Sequence, residues 1–323
     1  MSSRTSLPVT ALAAAVLALG LSGCGDDAEA TGAGGETLKV VATTPVVADF
    51  ARQVGGDLVA VTQILQPNVD PHDFEPSPAD LVAISEADVV VENGVGLEHW
   101  LEDTLAAAGF DGELVDASTG VAIRAGGEQE GEHHEGGDGH DHEDGDPHIW
   151  HDPLNAKIMV ANIEQAYAKA DAADASAYAA SAATYTRQID QLDADNKAKI
   201  ESIPAADRKL VTNHDAFGYY VEHYGLTFVG SIIPSFDTSA ELSGSDVNAL
   251  VDKIKAAGVK AIFSESSLPP RTAESIAERA GVKVEAGEDA LYGDALGPAG
   301  SAGDTYLKAE AHNTDTIVSA LRG

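Results

Sequence analysis

Apolar residues recur along the chain in two rhythms, short continuous runs and helical spacings. Leu38, Val40, Val41 and Ala42, interrupted only by Lys39, predict a buried strand over 38–43. Pro45 is placed to open a helix over 45–54, which Gly55 and Gly56 stop. Residues 58–65 and 87–91 read as two further strands. Between them Ser77 caps a helix with Pro78 at its first position and Asp80 in its first turn. A helix over 97–108 ends at Gly109. Residues 155–203 are alanine-rich and helical in pattern, and Pro204 stops them. Their later part, 174–203, holds no glycine or proline; one continuous helix there would be about 45 Å long at about 1.5 Å per residue. Strands are then expected over 209–212, 226–232, 259–264 and 282–285, alternating with helices over 216–224, 245–257, 271–280 and 304–321. This alternation predicts an α/β protein of two lobes with mainly parallel sheets, bridged by one long helix.

Two stretches break the rhythm. Residues 1–23 carry Arg4, then an apolar run over 7–21 that suits a secretory signal and is short for a membrane span. The run ends in Leu21-Ser22-Gly23-Cys24, which resembles a bacterial lipobox, in which cleavage precedes a lipidated cysteine. Cys24 is the only cysteine, so an intramolecular disulfide and a four-cysteine zinc site are both excluded. Residues 24–36, mostly glycine, alanine and acidic residues, read as a flexible tether. The second stretch, 128–146, has nine acidic residues, five glycines and His133, His134, His140 and His142, with no apolar residue. It is expected to be a mobile loop that captures metal weakly. The expected division is a signal over 1–23, a lipid-anchored tether over 24–36, an N-terminal lobe over 37–172, a linking helix over 173–203 and a C-terminal lobe over 204–323.

Charge narrows the function. With 19 Lys+Arg against 53 Asp+Glu the formal net charge is −34. Phosphate contacts need clustered Lys and Arg, so general nucleic-acid binding is excluded. The same balance opposes docking on an anionic membrane through protein charge, and it concentrates cations.

Four loops carry candidate metal ligands: Asp70-Pro71-His72-Asp73, Asp146-Pro147-His148-Ile149-Trp150-His151, Thr212-Asn213-His214-Asp215, and Leu291-Tyr292-Gly293-Asp294. Each follows a predicted strand or the acidic loop. Ligands of open parallel sheets lie in the crevice beyond the carboxyl ends of the strands. Imidazole and carboxylate donors suit a four-coordinate zinc ion, and three histidines disfavour manganese, which prefers oxygen. Each ligating imidazole must be unprotonated, and its second nitrogen should meet a carboxylate or carbonyl. Asp73, Asp152 and Asp215 are the nearest candidates for that role. His99, His223 and His312 sit in helical patterns and are read as ordinary polar residues, and His151 is left without a role.

At these residues the chain resembles the metal-binding lipoproteins of zinc and manganese ABC importers, the high-affinity zinc uptake receptors. The resemblance rests on Gln66-Pro67-Asn68-Val69-Asp70-Pro71-His72 with Phe74-Glu75-Pro76, and on Asn93-Gly94 with Leu97-Glu98 and Trp100-Leu101. It continues through Asp146-Pro147-His148-Ile149-Trp150, His214-Asp215-Ala216-Phe217-Gly218-Tyr219-Tyr220 and Asp294-Ala295-Leu296-Gly297, spanning residues 37–323. It implies His72, His148, His214 and Asp294 as ligands. Manganese-type members commonly place Glu at the third position, so His214 favours zinc. It also implies a monomeric receptor anchored at Cys24 on the extracytoplasmic face of the cell membrane. Such a receptor would pass Zn2+ to a permease and carry out no catalysis. The alternatives are a manganese receptor of the same family, a secreted zinc hydrolase and an adhesin. The hydrolase lacks a His-Glu-x-x-His helix and a Gly-x-Ser-x-Gly elbow.

Overall fold

The computed structural model describes residues 37–125, 145–240 and 243–322. The signal segment, the tether, Cys24 and the loop histidines 133, 134, 140 and 142 lie outside the described residues.

Two four-stranded parallel sheets organise the chain. The first is built from β1 (Leu38–Ala42), β2 (Val59–Gln63), β3 (Val89–Glu92) and β4 (Glu113–Asp116), in the order β2-β1-β3-β4. The second uses β5 (Lys209–His214), β6 (Thr227–Ile233), β7 (Ala261–Phe263) and β8 (Lys283–Glu285), in the order β6-β5-β7-β8. Both sheets therefore repeat one topology: the second strand joins one flank of the first and the third joins the other. The strand order reverses between β1 and β3, and again between β5 and β7. Such reversal points are where the loops beyond the strand ends diverge and leave a crevice.

Sequence explains the helices locally. In α1 (Pro45–Gly55) the Thr44 side chain accepts from the Val47 N–H, and Pro45 occupies the first turn, where its missing N–H costs nothing. All but Arg52 and Gln53 of this helix are buried. α2 (Pro78–Ser85) starts with a reciprocal capping box between Ser77 and Asp80, and α3 (Leu101–Ala108) closes on left-handed Gly109. The alanine-rich stretch forms two helices, α4 (Pro153–Ala170) and α5 (Ala175–Glu201). The 27 residues of α5 would span about 40 Å. Tyr178, Tyr185, Ile189 and Leu192 of α5 join the core of the first sheet, and Ile200 joins that of the second. The remaining helices are α6 (Gly218–Tyr224), α7 (Gly244–Ala257), α8 (Arg271–Ala280) and α9 (Tyr306–Arg322). α9 also serves both cores, through Tyr306 and Ala309 on one side and Ile317 and Leu321 on the other. Each such aliphatic or aromatic side chain contributes roughly 1.5–3 kcal/mol by leaving water. None of the helices among the described residues is long and apolar enough to cross a membrane.

One boundary differs from expectation. Asp146, expected as the last residue of the mobile loop, is fully buried. Its N–H donates to the Arg124 carbonyl at 2.9 Å and its carboxylate meets the Arg124 guanidinium at 2.5 Å. The Tyr219 hydroxyl completes this closure, accepting from Arg124 N–H and donating to the Asp146 carbonyl. Acidic composition placed Asp146 with the solvated run; its pairing places it in the interior.

Candidate metal centre

Each candidate ligand reaches the crevice from the carboxyl end of a sheet. His72 stands on the loop after β2, where Asp70 accepts from the His72 N–H at 2.9 Å. His148 opens a short 3-10 turn, Ile149–His151, before α4. Asn93 donates to the Pro147 carbonyl beside it, and the Tyr306 hydroxyl donates to the Trp150 carbonyl. His214 is the last residue of β5, so the sheet itself fixes its backbone. Asp294 follows Leu291, which extends the second sheet by bridging to Glu265. Asn313 of α9 clamps the Tyr292 backbone through both its amide atoms, and Trp150 Nε1 donates to the Gly293 carbonyl.

These four side chains converge. One donor atom from each of His72, His148, His214 and Asp294 lies within 4.8 Å of all the others, and all four residues are buried. His148 Nε2 and His214 Nε2 are 3.3 Å apart, and Asp294 Oδ1 is 3.2 and 3.1 Å from them. The His72 ring centre lies 5.5 Å from that of His148 and 5.9 Å from that of His214. Yet His72 Nε2 and both Asp294 carboxylate oxygens have no hydrogen-bond partner among the described residues. A buried polar atom left unpaired costs roughly 1–3 kcal/mol. A group of them facing one point is the arrangement a cation relieves.

The second nitrogens are held by carboxylates that sequence reasoning did not select. Asp146 Oδ1 lies 2.8 Å from His148 Nδ1 and also accepts from the His148 N–H. Glu265, just past β7, lies 3.0 Å from His214 Nδ1 through Oε1 and 2.9 Å through Oε2. A Cβ on Gly293 would stand 2.1 Å from Glu265 Oε2, so only glycine lets the Asp294 loop pass this carboxylate. The three residues named from sequence do other work: Asp73 is exposed, Asp152 caps α4 and pairs with His223 at 3.0 Å, and Asp215 donates its N–H to the Ser235 carbonyl. Sequence adjacency did not identify these partners: Asp146 lies two residues before His148, and Glu265 just past β7, the strand beside β5. His151 is part of the frame: its Nδ1 lies 2.8 Å from Glu310 of α9 and its ring stacks on Phe217. His99 is exposed, and His312 contacts the Ala290 carbonyl.

The field in the site is divided. Burial opposes charge on His148, but the Asp146 hydrogen bond and the Asp294 carboxylate outweigh it and push its pKa up to about 9. Burial likewise opposes charge on His214, and Asp294 with Glu265 overcomes it, raising His214 well above the usual imidazole range. His72 goes the other way: burial, then the neighbouring imidazoles, lower it to about 3 despite Asp294. Burial would raise Asp294, yet the surrounding histidines hold it well below the ordinary carboxylate value.

Comparison with known proteins agrees with this geometry. The chain is 34% identical over 320 residues to the manganese-binding lipoprotein MntA of Bacillus subtilis (strain 168), covering 96% of this chain and 99% of the relative. It is 30% identical over 288 residues to the iron-binding protein YfeA of Yersinia pestis, covering 88% and 86%. The solved structure of the periplasmic zinc-binding protein TroA from Treponema pallidum superposes with a TM-score of 0.77 at 28% identity, covering 89% of this chain and all of TroA. The family described as ZnuA, zinc-uptake complex component A, periplasmic, matches residues 40–320. The chain therefore belongs to the ZnuA family, whose members are metal-binding receptors of ABC importers and not enzymes.

Proposed function

We propose that the protein captures Zn2+ outside the cytoplasm and delivers it to the permease of an ABC importer, with His72, His148, His214 and Asp294 as the ligands. The observation that carries this reading is the donor set of three imidazoles and one carboxylate: the donor atoms of His148, His214 and Asp294 are 3.1–3.3 Å apart, and that of His72 lies within 4.8 Å of them. A tetrahedral zinc ion with bonds of about 2.0–2.1 Å has ligand atoms about 3.3 Å apart. Three nitrogen donors suit zinc better than manganese, which favours carboxylate, carbonyl and water oxygens. The buried partners on the Nδ1 atoms of His148 and His214 orient the rings and raise their basicity, as expected of metal-ligating histidines. The ion is cargo and takes part in no reaction.

Manganese is the second reading, because relatives such as MntA are named manganese-binding. Equilibrium with equal concentrations of Zn2+ and Mn2+, followed by elemental analysis of the gel-filtered protein, separates the two. One zinc per chain with manganese excluded supports the first reading; manganese retained in preference supports the second.

Anchoring belongs to the same proposal. Leu21-Ser22-Gly23-Cys24 and the lipoprotein relatives support lipidation of Cys24 and a tether over 24–36 on the extracytoplasmic membrane face. A free Cys24 thiol in the mature protein, found by mass spectrometry, contradicts it. The histidines 133, 134, 140 and 142 are proposed as weak auxiliary sites. Deleting 128–145 should then remove weak zinc binding and leave one tight event in a titration.

A further inference from the structure

The loop that follows β6 runs beside the site. Its root is pinned beside His214, where the Asp215 N–H donates to the Ser235 carbonyl at 3.1 Å. Phe236 is buried there, its ring centre 6.2 Å from that of His148. Two residues on, the Thr238 hydroxyl donates to Asp70 Oδ2 at 2.6 Å. The other oxygen of the same carboxylate accepts from the His72 N–H. A single carboxylate thus ties a side chain of the second lobe to the backbone of a ligand from the first. The His72 loop is also held at its backbone by the Asn68 N–H, which donates at 3.1 Å to the carbonyl of Leu296, a residue packed in the core of the first sheet. Asn68 sits there at φ +60°, a left-handed conformation that asparagine adopts more readily than other non-glycine residues.

We propose that Thr238 is a positioning residue of the metal site: through Asp70 it holds the His72 loop closed from the opposite lobe and sets how fast bound metal leaves. The proposal rests on the ligand assignment above and adds the element that releases one ligand. A tightly held ion is delivered only if some state of the protein binds it less well. His148 and His214 are braced at their rings by buried carboxylates, so withdrawing either leaves a buried charge behind. His72 is braced at its backbone, and its loop can swing if the Thr238–Asp70 tie to the second lobe opens. A hydroxyl–carboxylate bond is strong enough to hold the loop and exchanges readily with water once exposed. Affinity controlled in this way changes mainly through the dissociation rate.

The experiment is stopped-flow release of zinc from the full-length loaded protein into excess chelator, for wild type, Thr238→Val and Thr238→Ser. Valine keeps the shape and removes the hydroxyl; serine keeps the hydroxyl. The expected result is release about tenfold faster for valine, within about twofold of wild type for serine. The association rate and the melting temperature of the metal-free protein should be unchanged in both. A merely structural role would lower that melting temperature and leave the release rate alone. If the valine variant does not fold, Thr238→Ala compared with Thr238→Ser reads the same hydroxyl. Release at the wild-type rate from a hydroxyl-free variant overturns the role of Thr238 while the ligand assignment stands. A wild type that takes up no stoichiometric zinc overturns the assignment and this proposal together.

Discussion

His72 and His214 enter the same site from opposite lobes under different constraints. His214 ends a buried central strand, and Glu265 grips both its backbone N–H and its Nδ1. His72 lies on a proline-flanked loop held through Asp70, and its Nε2 has no partner among the described residues. The first is preorganised by the sheet, the second by contacts between lobes. On the proposed assignment, one half of the site would supply affinity at low cost in entropy, and the other would supply a ligand able to withdraw. The electrostatics follow the same division, with His214 raised and His72 lowered to about 3.

The largest effect should come from removing a ligand on the braced side. His214→Ala is expected to weaken zinc binding by more than about 100-fold, beyond the roughly 10–100-fold typical of losing an outer partner. Exposed His99→Ala should leave binding unchanged in the same titration. Equal losses in the two variants would break the comparison. Next in size, Glu265→Gln and Asp146→Asn should each weaken binding by about 10–100-fold, because the rings lose the carboxylate that fixes their tautomer and orientation. A charge-neutral variant that binds like wild type would show these carboxylates to be structural only.

Protons give a third effect. The upward shifts of His148 and His214 and the downward shift of His72 imply that near pH 7 the first two imidazoles hold protons more readily than His72 in the metal-free site. Zinc binding should release about two protons per ion there, read from titrations in buffers of different ionisation enthalpy, and should tighten as pH rises toward 9. The stability of the metal-free protein has the opposite slope. The folded pKa of His148, about 9, exceeds the ~6.5 of an unfolded imidazole, so its contribution is full below about 6.5 and lost as pH rises through about 9. The melting temperature of the metal-free protein should accordingly fall across that window. Binding without proton release would contradict the divided field.

The smallest effect probes the segment that leads out of the His72 loop. Ser77→Ala removes the reciprocal cap of α2 and should cost about 1 kcal/mol of stability. Zinc affinity should stay within about twofold, since the loop is held by Asp70 and Asn68 rather than by the helix. A large loss of affinity would mean that α2, not the lobe contacts, places His72.

Much of this architecture was legible in the sequence because its elements are strongly punctuated. Pro45, Pro78, Gly109 and Pro204 mark ends that the structure places within a few residues of expectation. The long helical run was read from 174 and is observed from Ala175, an unbroken pattern with clear limits. The ligand candidates were legible because proline, histidine and acidic residues interrupt apolar strands at their carboxyl ends. The carboxylates behind them were not. Glu265 is 51 residues from His214 in the chain and meets it only because β7 lies beside β5. Asp146 was hidden at the edge of an acidic run whose composition says solvent, and nothing local marks it as the one residue that pairs with Arg124 and His148. Thr238 carries no sequence signal either, since its partner Asp70 is 168 residues away.

The central claim, one zinc held by three imidazoles and one carboxylate, is tested most directly by X-ray absorption at the zinc edge of the stoichiometrically loaded protein. The account predicts four nitrogen and oxygen neighbours at about 2.0–2.1 Å, with outer-shell scattering from three imidazole rings that falls to two in His72→Ala. A spectrum with one imidazole or none, or one that His72→Ala leaves unchanged, would contradict it.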